Sequence, residues 1–131
     1  MKIVAIDLGL KRIGLAITQD GKIVTPLPAV HRKNRNQAST EVRDILAQWE
    51  AEKVVVGIPM DGDSEDEMRR RVAHFMNLVD ANIPIELQDE NESSLEAEAL
   101  MKGEIRQKKD GRIDSLAAKI ILERYLLRVS L

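Results

Sequence analysis

The residue of greatest chemical interest is Asp7, an acid at the end of the apolar segment 3–6 and just before Leu8 and Gly9. A segment this apolar is typical of a strand covered on both faces, so the Asp7 carboxylate would be partly desolvated. An unpaired anion in such surroundings costs several kcal/mol, and we therefore expect a cation beside it. Taken alone, Asp7 could equally open a turn before Gly9, and this alternative stays open until a second acid joins it.

Further acids lie far along the chain, at Asp89, Glu90 and Asp114. The strand predicted before Asp89 would bring Asp89 and Glu90 to a carboxyl edge beside Asp7, where ligands gather in open α/β sheets. Asp114 would open the last helix. Steps of four, three and four residues place Asp114 on one stripe with Ala118, Ile121 and Tyr125, and we expect this stripe to face the sheet. The helix dipole alone would explain an acid at this position, but it does not explain the other acids.

Three carboxylates from remote segments would raise one another's pKa values unless a cation neutralised them. Ligands that are all oxygen select Mg²⁺ or Mn²⁺ over softer ions. Two such ions about 4 Å apart would activate a water, orient a phosphodiester and stabilise the leaving oxygen. The acids therefore predict a metal-dependent nuclease, and Lys11 and Arg12, just past Asp7, are placed to meet phosphates next to the metals.

Composition narrows the class of protein. The 131 residues fit one domain, residues 1–131. The absence of cysteine excludes thiolate chemistry, and two histidines make a structural zinc site implausible. With no charged-then-apolar leader and no apolar stretch near the length of a membrane span, we expect a cytoplasmic protein that does not associate with membranes.

The balance of 20 basic and 22 acidic residues gives a net charge of −2, which offers no general attraction to nucleic acid. Local basic clusters could still supply it. A triplet at 69–71 is best explained as the outer face of an amphipathic helix. The predicted nucleic-acid contacts are Lys11, Arg12, Arg32, Lys33, Arg106, Lys108, Lys109 and Arg112.

The elements that must position these side chains follow from periodicity and turn residues. Strands are predicted at 2–8, 13–18, 22–29, 53–58 and 83–87, and helices at 38–49, 68–79, 93–101 and 113–127, with a basic loop at 103–111. This order predicts an α/β fold with a mixed five-stranded sheet. Three strands form an antiparallel meander, two parallel strands are added by right-handed crossovers, and helices cover both faces. The ribonuclease H-like arrangement is the leading fold of this kind.

The chain also resembles the YqgF (RuvX) family in motifs that occur in order along nearly its whole length. These motifs are the segment 7–16, the segment 54–59, Asp61-Gly62, Asp89-Glu90 and the segment 113–118. The resemblance implies a ribonuclease H-like fold related to the RuvC resolvase. It also implies a nuclease that processes the 5′ end of the 16S ribosomal RNA precursor or, for some members, cleaves Holliday junctions. By the same resemblance Asp7, Glu90 and Asp114 match the acidic triad, with Asp89 the weaker candidate beside Glu90.

One departure from the family pattern concerns substrate binding. Asn91 follows Glu90 where the family has arginine, so a guanidinium that would pair with a phosphate or an acid is missing. A non-catalytic module that binds RNA or the ribosome on the same scaffold is therefore an alternative. A second alternative is the phosphate loop of actin-like ATPases, which the spacing of Asp7, Gly9 and Gly14 resembles, although 131 residues leave no room for a second lobe. A resolvase that acts on a two-fold junction would be a homodimer, but no apolar stripe marks an interface.

Overall fold

The computed structural model describes residues 1–60, 62–90 and 112–130. The described elements are β1 (Ile3–Leu8), β2 (Arg12–Thr18), β3 (Val24–His31), α1 (Arg35–Gln48), β4 (Lys53–Ile58), α2 (Glu65–Val79), β5 (Ile85–Asp89) and α3 (Arg112–Val129). The helix predicted at 93–101 and the basic loop predicted at 103–111 lie outside the described residues.

The five strands form one sheet in the order β3-β2-β1-β4-β5, which puts β1 at its centre. β1, β2 and β3 pair antiparallel, whereas β4 pairs parallel with both β1 and β5. The predicted mixed sheet is therefore confirmed. Pro26 and Pro28 lie in β3 at the edge of the sheet, where a missing backbone donor leaves no neighbouring strand unpaired.

Side chains of β1 alternate between two buried layers. Val4, Ile6 and Leu8 pack in a core with residues of α1 and α2, whereas Ile3 and Ala5 pack in a second core with residues of α3. Helices therefore cover both faces, as predicted. The α3 residues of the predicted stripe that lie in the second core are Ala118, Ile121 and Tyr125. No helix within 1–60, 62–90 or 112–130 is long and apolar enough to cross a membrane.

Two strands are displaced from their predicted positions. β3 begins two residues later than predicted because Asp20 closes the preceding turn, with its Oδ1 accepting hydrogen bonds from the amides of Lys22 and Ile23. β5 also begins two residues late, because the chain still bends at Ile83 after the left-handed Asn82, whose φ is 55°. β5 ends at Asp89, which is therefore the last residue of the strand rather than a residue beyond it.

Candidate active site

Asp7 lies on the face of β1 that is covered by α3, with a glycine on each neighbouring strand. Gly14 of β2 pairs directly with Asp7. Gly57 of β4 lies one residue beyond the last pair between β1 and β4, which is Ile6 with Val56. Asp7 is thus flanked by two residues without side chains, which leaves space above the centre of the sheet for groups from other elements.

Glu90 occupies part of the space above Gly57. A Cβ atom on Gly57 would lie 3.1 Å from Glu90 Cβ and 2.3 Å from Ile121 Cδ1. The backbone amide of Glu90 donates to the Ile58 carbonyl at 2.9 Å, so Glu90 continues the pairing of β5 with β4. Gly57 therefore lets a carboxylate from β5 reach Asp7 across the intervening strand.

Asp89 lies on the opposite face of the sheet from Asp7. Asp89 pairs with Ile58, whose side chain belongs to the core shared with α1 and α2. Asp89 Oδ1 accepts a hydrogen bond from the Met60 amide at 3.3 Å. Successive side chains of a strand point to opposite faces, so Glu90 rather than Asp89 shares a face with Asp7.

The two acids that share this face interact directly. Burial, the charge of Glu90, a side-chain hydrogen bond with Glu90 and the charge of Asp114 together raise the pKa of Asp7 to about 8. Burial also raises the pKa of Glu90, with a further contribution from Asp89, although the hydrogen bond with Asp7 opposes this shift. In the absence of a cation, the pair therefore retains a proton near neutral pH, with protonated Asp7 donating to the Glu90 carboxylate.

Asp114 reaches the same edge from the first turn of α3. The Ser115 hydroxyl accepts a hydrogen bond from the Leu15 amide at 3.4 Å and donates to the Leu27 carbonyl at 2.7 Å. These bonds attach the start of α3 to β2 and β3. The close approach requires Gly14, because a Cβ atom there would lie 2.0 Å from the Asp114 carbonyl oxygen.

The Asp114 carboxylate forms an ion pair. Its Oδ2 accepts a hydrogen bond from Arg12 Nε at 2.9 Å, and both side chains are about one-quarter exposed, at 26% and 28%. Asp114 is nevertheless near enough for its charge to raise the pKa of Asp7. The structure thus brings Asp7 and Glu90 into contact and places Asp114 beside them with its own cation.

In this arrangement the described residues contain no group of three or more acidic or histidine side chains that could hold a metal ion. Asp114 is directed to Arg12 instead of to the other two acids. The donor chemistry nevertheless fits a hard divalent cation. Two carboxylates in contact need either a proton or a cation between them, and only oxygen ligands are present.

Five of the predicted basic contacts are among the described residues. Lys11 and Lys33 are exposed, Arg112 is exposed at the start of α3, and Arg12 binds Asp114. Arg32 Nη1 donates to the Gly9 carbonyl at 2.8 Å and so braces the turn after Asp7. Arg106, Lys108 and Lys109 lie outside the described residues.

Gly14, Gly57 and Ser115 were not predicted from the sequence to be positioning residues. Glycine inside a strand often marks a close approach by another group, and both glycines interrupt segments rich in branched apolar residues. That signal was available for Gly14 and Gly57. Ser115 carried no comparable signal, because its partners are 100 and 88 residues away.

Gly14→Ala is expected to lower the free energy of unfolding by about 2 to 3 kcal/mol, because the added methyl overlaps the backbone of α3 rather than a movable side chain. Urea denaturation measures the effect. Gly62→Ala is the matched control, since nothing lies within 4 Å of a Cβ atom at that position. The control should change the stability by less than about 0.5 kcal/mol. Equal stabilities of the two variants would contradict the packing of α3 against Gly14.

Two solved structures with the same fold are resolvases by their titles. The structure titled "T. thermophilus RuvC in complex with Holliday junction substrate" matches with a TM-score of 0.59 and 16% identity, over 98% of this chain and 96% of that chain. The structure titled "Crystal structure of Fowlpox virus resolvase and substrate Holliday junction DNA complex" matches with a TM-score of 0.57 and 12% identity, over 98% and 99% of the two chains. The chain therefore has the ribonuclease H-like fold of the RuvC-like resolvases.

Sequence comparison identifies the family. The model of the RuvX family, described as Holliday junction resolvase, matches residues 1–128. A protein of Sulfurimonas denitrificans is 63% identical over 126 residues, covering 96% of this chain and 97% of that protein. A Campylobacter lari protein is 46% identical over 125 residues, covering 95% and 97%. Both are named "Putative pre-16S rRNA nuclease". The chain belongs to the RuvX family, which confirms the resemblance found in its motifs.

Proposed function

We propose that this protein is a metal-dependent endonuclease that hydrolyses phosphodiester bonds in structured nucleic acid, and that it processes the 5′ end of the 16S ribosomal RNA precursor. The observation that carries the proposal is the contact between Asp7 and Glu90, beside Asp114, on the scaffold of a nuclease family. The names of the similar proteins support the choice of substrate.

The residues proposed to hold Mg²⁺ or Mn²⁺, two ions in the complete site, are Asp7, Glu90 and Asp114. Asp89 is the less favourable candidate because it lies on the opposite face of its strand from Glu90. When bound, divalent ions activate a water and stabilise the leaving oxygen of a phosphodiester. The raised pKa of Asp7 supports this assignment, because an ion would replace the proton that the pair otherwise retains.

The protein's own groups would orient the substrate. Gly14 lets the start of α3 approach Asp7, Gly57 does the same for Glu90, and Ser115 fixes the start of α3 against the sheet. Exposed Lys11 is placed to meet the phosphate that follows the scissile bond. Arg12, which pairs with Asp114 in this structure, would join Lys11 there once Asp114 binds the metal. Arg112 and the basic residues at 106, 108 and 109 are proposed to contact further phosphates along the nucleic-acid strand.

A ribosomal RNA precursor is a cytoplasmic substrate in bacteria such as those that carry the similar proteins, and we propose a cytoplasmic location for this protein. Association with the ribosomal particle would follow from that substrate. A homodimer is proposed only for action on a two-fold symmetric junction, where two cuts are needed.

Cleavage of branched DNA is the second candidate function, and the description of the family favours it. A direct comparison decides between the two. Purified protein with Mg²⁺ or Mn²⁺ is incubated with a precursor RNA that carries the 5′ leader of 16S RNA, with the mature sequence alone, and with a four-way DNA junction. We expect cuts in the leader that are lost when the metal is chelated. Cleavage of the junction alone would favour the resolvase. No cleavage of any substrate, with RNA binding retained, would favour the non-catalytic module.

A further inference from the structure

A cluster of cationic side chains lies on the other side of the sheet from the acidic site. A cavity of about 410 Å³ is lined by Leu8, Leu10, Arg32, Arg35, Arg70, Arg71, His74 and Phe75. None of these described lining residues is acidic. An adjoining depression of about 490 Å³ shares two of them, Arg35 and His74. We call the first cavity the arginine pocket.

The arginines of this pocket lie close together, and none of them forms an ion pair with an acid of residues 1–60, 62–90 or 112–130. Burial and the charges of Arg71 and Arg35 lower the pKa of Arg32. Ion pairs of the described residues are formed by arginines outside the pocket, such as Arg12 with Asp114 and Arg69 with Glu65. The side-chain contacts of two pocket arginines are made to groups that are not acids: Arg35 Nη1 lies 3.0 Å from His74 Nε2, and Arg71 Nη1 lies 3.3 Å from Met68 Sδ. Clustered like charges oppose folding, and an anionic ligand would relieve this repulsion.

The exposure of Arg69 and Arg70 confirms the interpretation of the triplet 69–71 as the outer face of an amphipathic helix, and Arg71 is half-buried. Arg69 pairs with Glu65 one turn earlier. Arg70 and Arg71 in addition line the pocket together with Arg32 from the segment after β3. Three successive arginines on one helix therefore have different surroundings.

The pocket is linked to the acidic site through the turn after β1. Leu8 is the residue after Asp7, and it faces the layer of α1 and α2 because side chains alternate along a strand. Arg32 Nη1 binds the carbonyl of Gly9 in the same turn, and the Arg32 guanidinium lies 5.4 Å from the centre of the Phe75 ring. Arg32 is thereby held in a fixed orientation at the edge of the sheet where the carboxylates lie.

We propose that the arginine pocket binds the phosphodiester backbone of a nucleic-acid strand that also passes the acidic site, with Arg70 and Arg71 as the principal phosphate contacts. Guanidinium groups bind phosphate oxygens in paired geometry, and a row of them without acids follows a backbone rather than a base sequence. Arg32 is held by the Gly9 carbonyl, so it lines the pocket in a fixed orientation. The inference rests on the proposed action on nucleic acid, but it concerns binding and not cleavage.

The test measures RNA binding without divalent ions, so that a failure of cleavage and a failure of this site are separate results. Fluorescence anisotropy follows a labelled single-stranded RNA at several salt concentrations. The double variant Arg70→Gln/Arg71→Gln is expected to bind about tenfold more weakly than wild type. The slope of log K against log salt concentration should be smaller by about 1.4, since each of the two lost phosphate contacts contributes about 0.7 on a single strand. Arg69→Gln removes the same charge type from the same helix outside the pocket, and it should bind like wild type.

Two further measurements use the wild-type protein and do not depend on the folding of a variant. RNA should protect Arg70 and Arg71, but not Arg69, from modification by phenylglyoxal mapped by mass spectrometry. Inorganic phosphate should not displace the RNA beyond the effect of chloride at equal ionic strength. The proposal is overturned if the double variant binds like wild type, if Arg69→Gln loses as much affinity, or if RNA leaves the modification unchanged. Displacement by inorganic phosphate would instead define a site for a free anion, which also contradicts the proposal.

Discussion

Asp7→Asn is expected to reduce the rate of cleavage by about a thousandfold, which corresponds to about 4 kcal/mol of lost transition-state stabilisation. The substitution keeps the size of the side chain but removes the charge at the centre of the sheet, where Glu90 and Asp114 converge on it. A neutral amide would leave the site with too little negative charge to hold a divalent ion. The rate is measured on the precursor RNA at saturating Mg²⁺ or Mn²⁺.

Asp44→Asn is the matched control for that experiment. Asp44 is exposed on α1, on the other face of the sheet, and its loss should leave the rate unchanged. If wild type and Asp7→Asn cleave at the same rate above background, Asp7 has no role in the reaction. Equal loss in both variants would indicate damage to the protein rather than to the site.

Asp7→Asn is also expected to stabilise the metal-free protein at alkaline pH. The pKa of Asp7 is raised from 3.8 to about 8 on folding, so the folded state binds more protons than the unfolded state between these values. The stabilising effect of this proton is complete below the unfolded pKa and is lost as the pH rises through the folded pKa. Each pKa unit corresponds to about 1.4 kcal/mol. Since an asparagine side chain does not titrate, the stability of Asp7→Asn should exceed that of wild type by about 2 to 5 kcal/mol above pH 8.

Chemical denaturation across the pH range, with the metal chelated, measures this difference. We expect the advantage of Asp7→Asn to grow steadily with pH and then to level off. Adding Mg²⁺ or Mn²⁺ should stabilise wild type and not the variant, because a ligand stabilises only the state that binds it. A stability difference that is independent of pH would contradict the burial of an uncompensated carboxylate at this position. Loss of activity with gain of stability is typical of a functional site.

The sequence predicted the centre of the molecule well, because the physical signals there are local. The apolar segment before Asp7 indicated a strand covered on both faces, and β1 is the central strand. The repeat of Ala118, Ile121 and Tyr125 predicted which stripe of α3 meets the sheet. These signals depend on burial of nearby residues, and periodicity records burial directly.

The features that the sequence did not predict depend on contacts between distant segments. Arg12 and Asp114 are 102 residues apart, and nothing in either segment indicates that the arginine expected at phosphate binds an acid. The family resemblance favoured Glu90 over Asp89, but the face of the sheet on which each side chain lies depended on the register of β5, which was predicted two residues too early. The different contacts of Arg69, Arg70 and Arg71 depended on how α2 packs against α1 and β4.

Arg12 forms an ion pair with Asp114 when no metal ion is bound. In the structure it pairs with Asp114, while Asp7 and Glu90 are joined through a hydrogen bond. We expect Asp114 to leave Arg12 when a divalent ion binds the three acids, and this would free the guanidinium for a phosphate. Arg12 thereby supplies a cation near the acids in a chain that has Asn91 in place of the family's arginine.

The central claim is that Asp7, Glu90 and Asp114 share a divalent cation, and a crystal soaked in Mn²⁺ tests it most directly. We predict anomalous density among the three carboxylates, with Asp114 separated from Arg12 and no hydrogen bond left between Asp7 and Glu90. A well-ordered crystal that shows no density there, with the Arg12–Asp114 ion pair intact at high Mn²⁺, would contradict the claim.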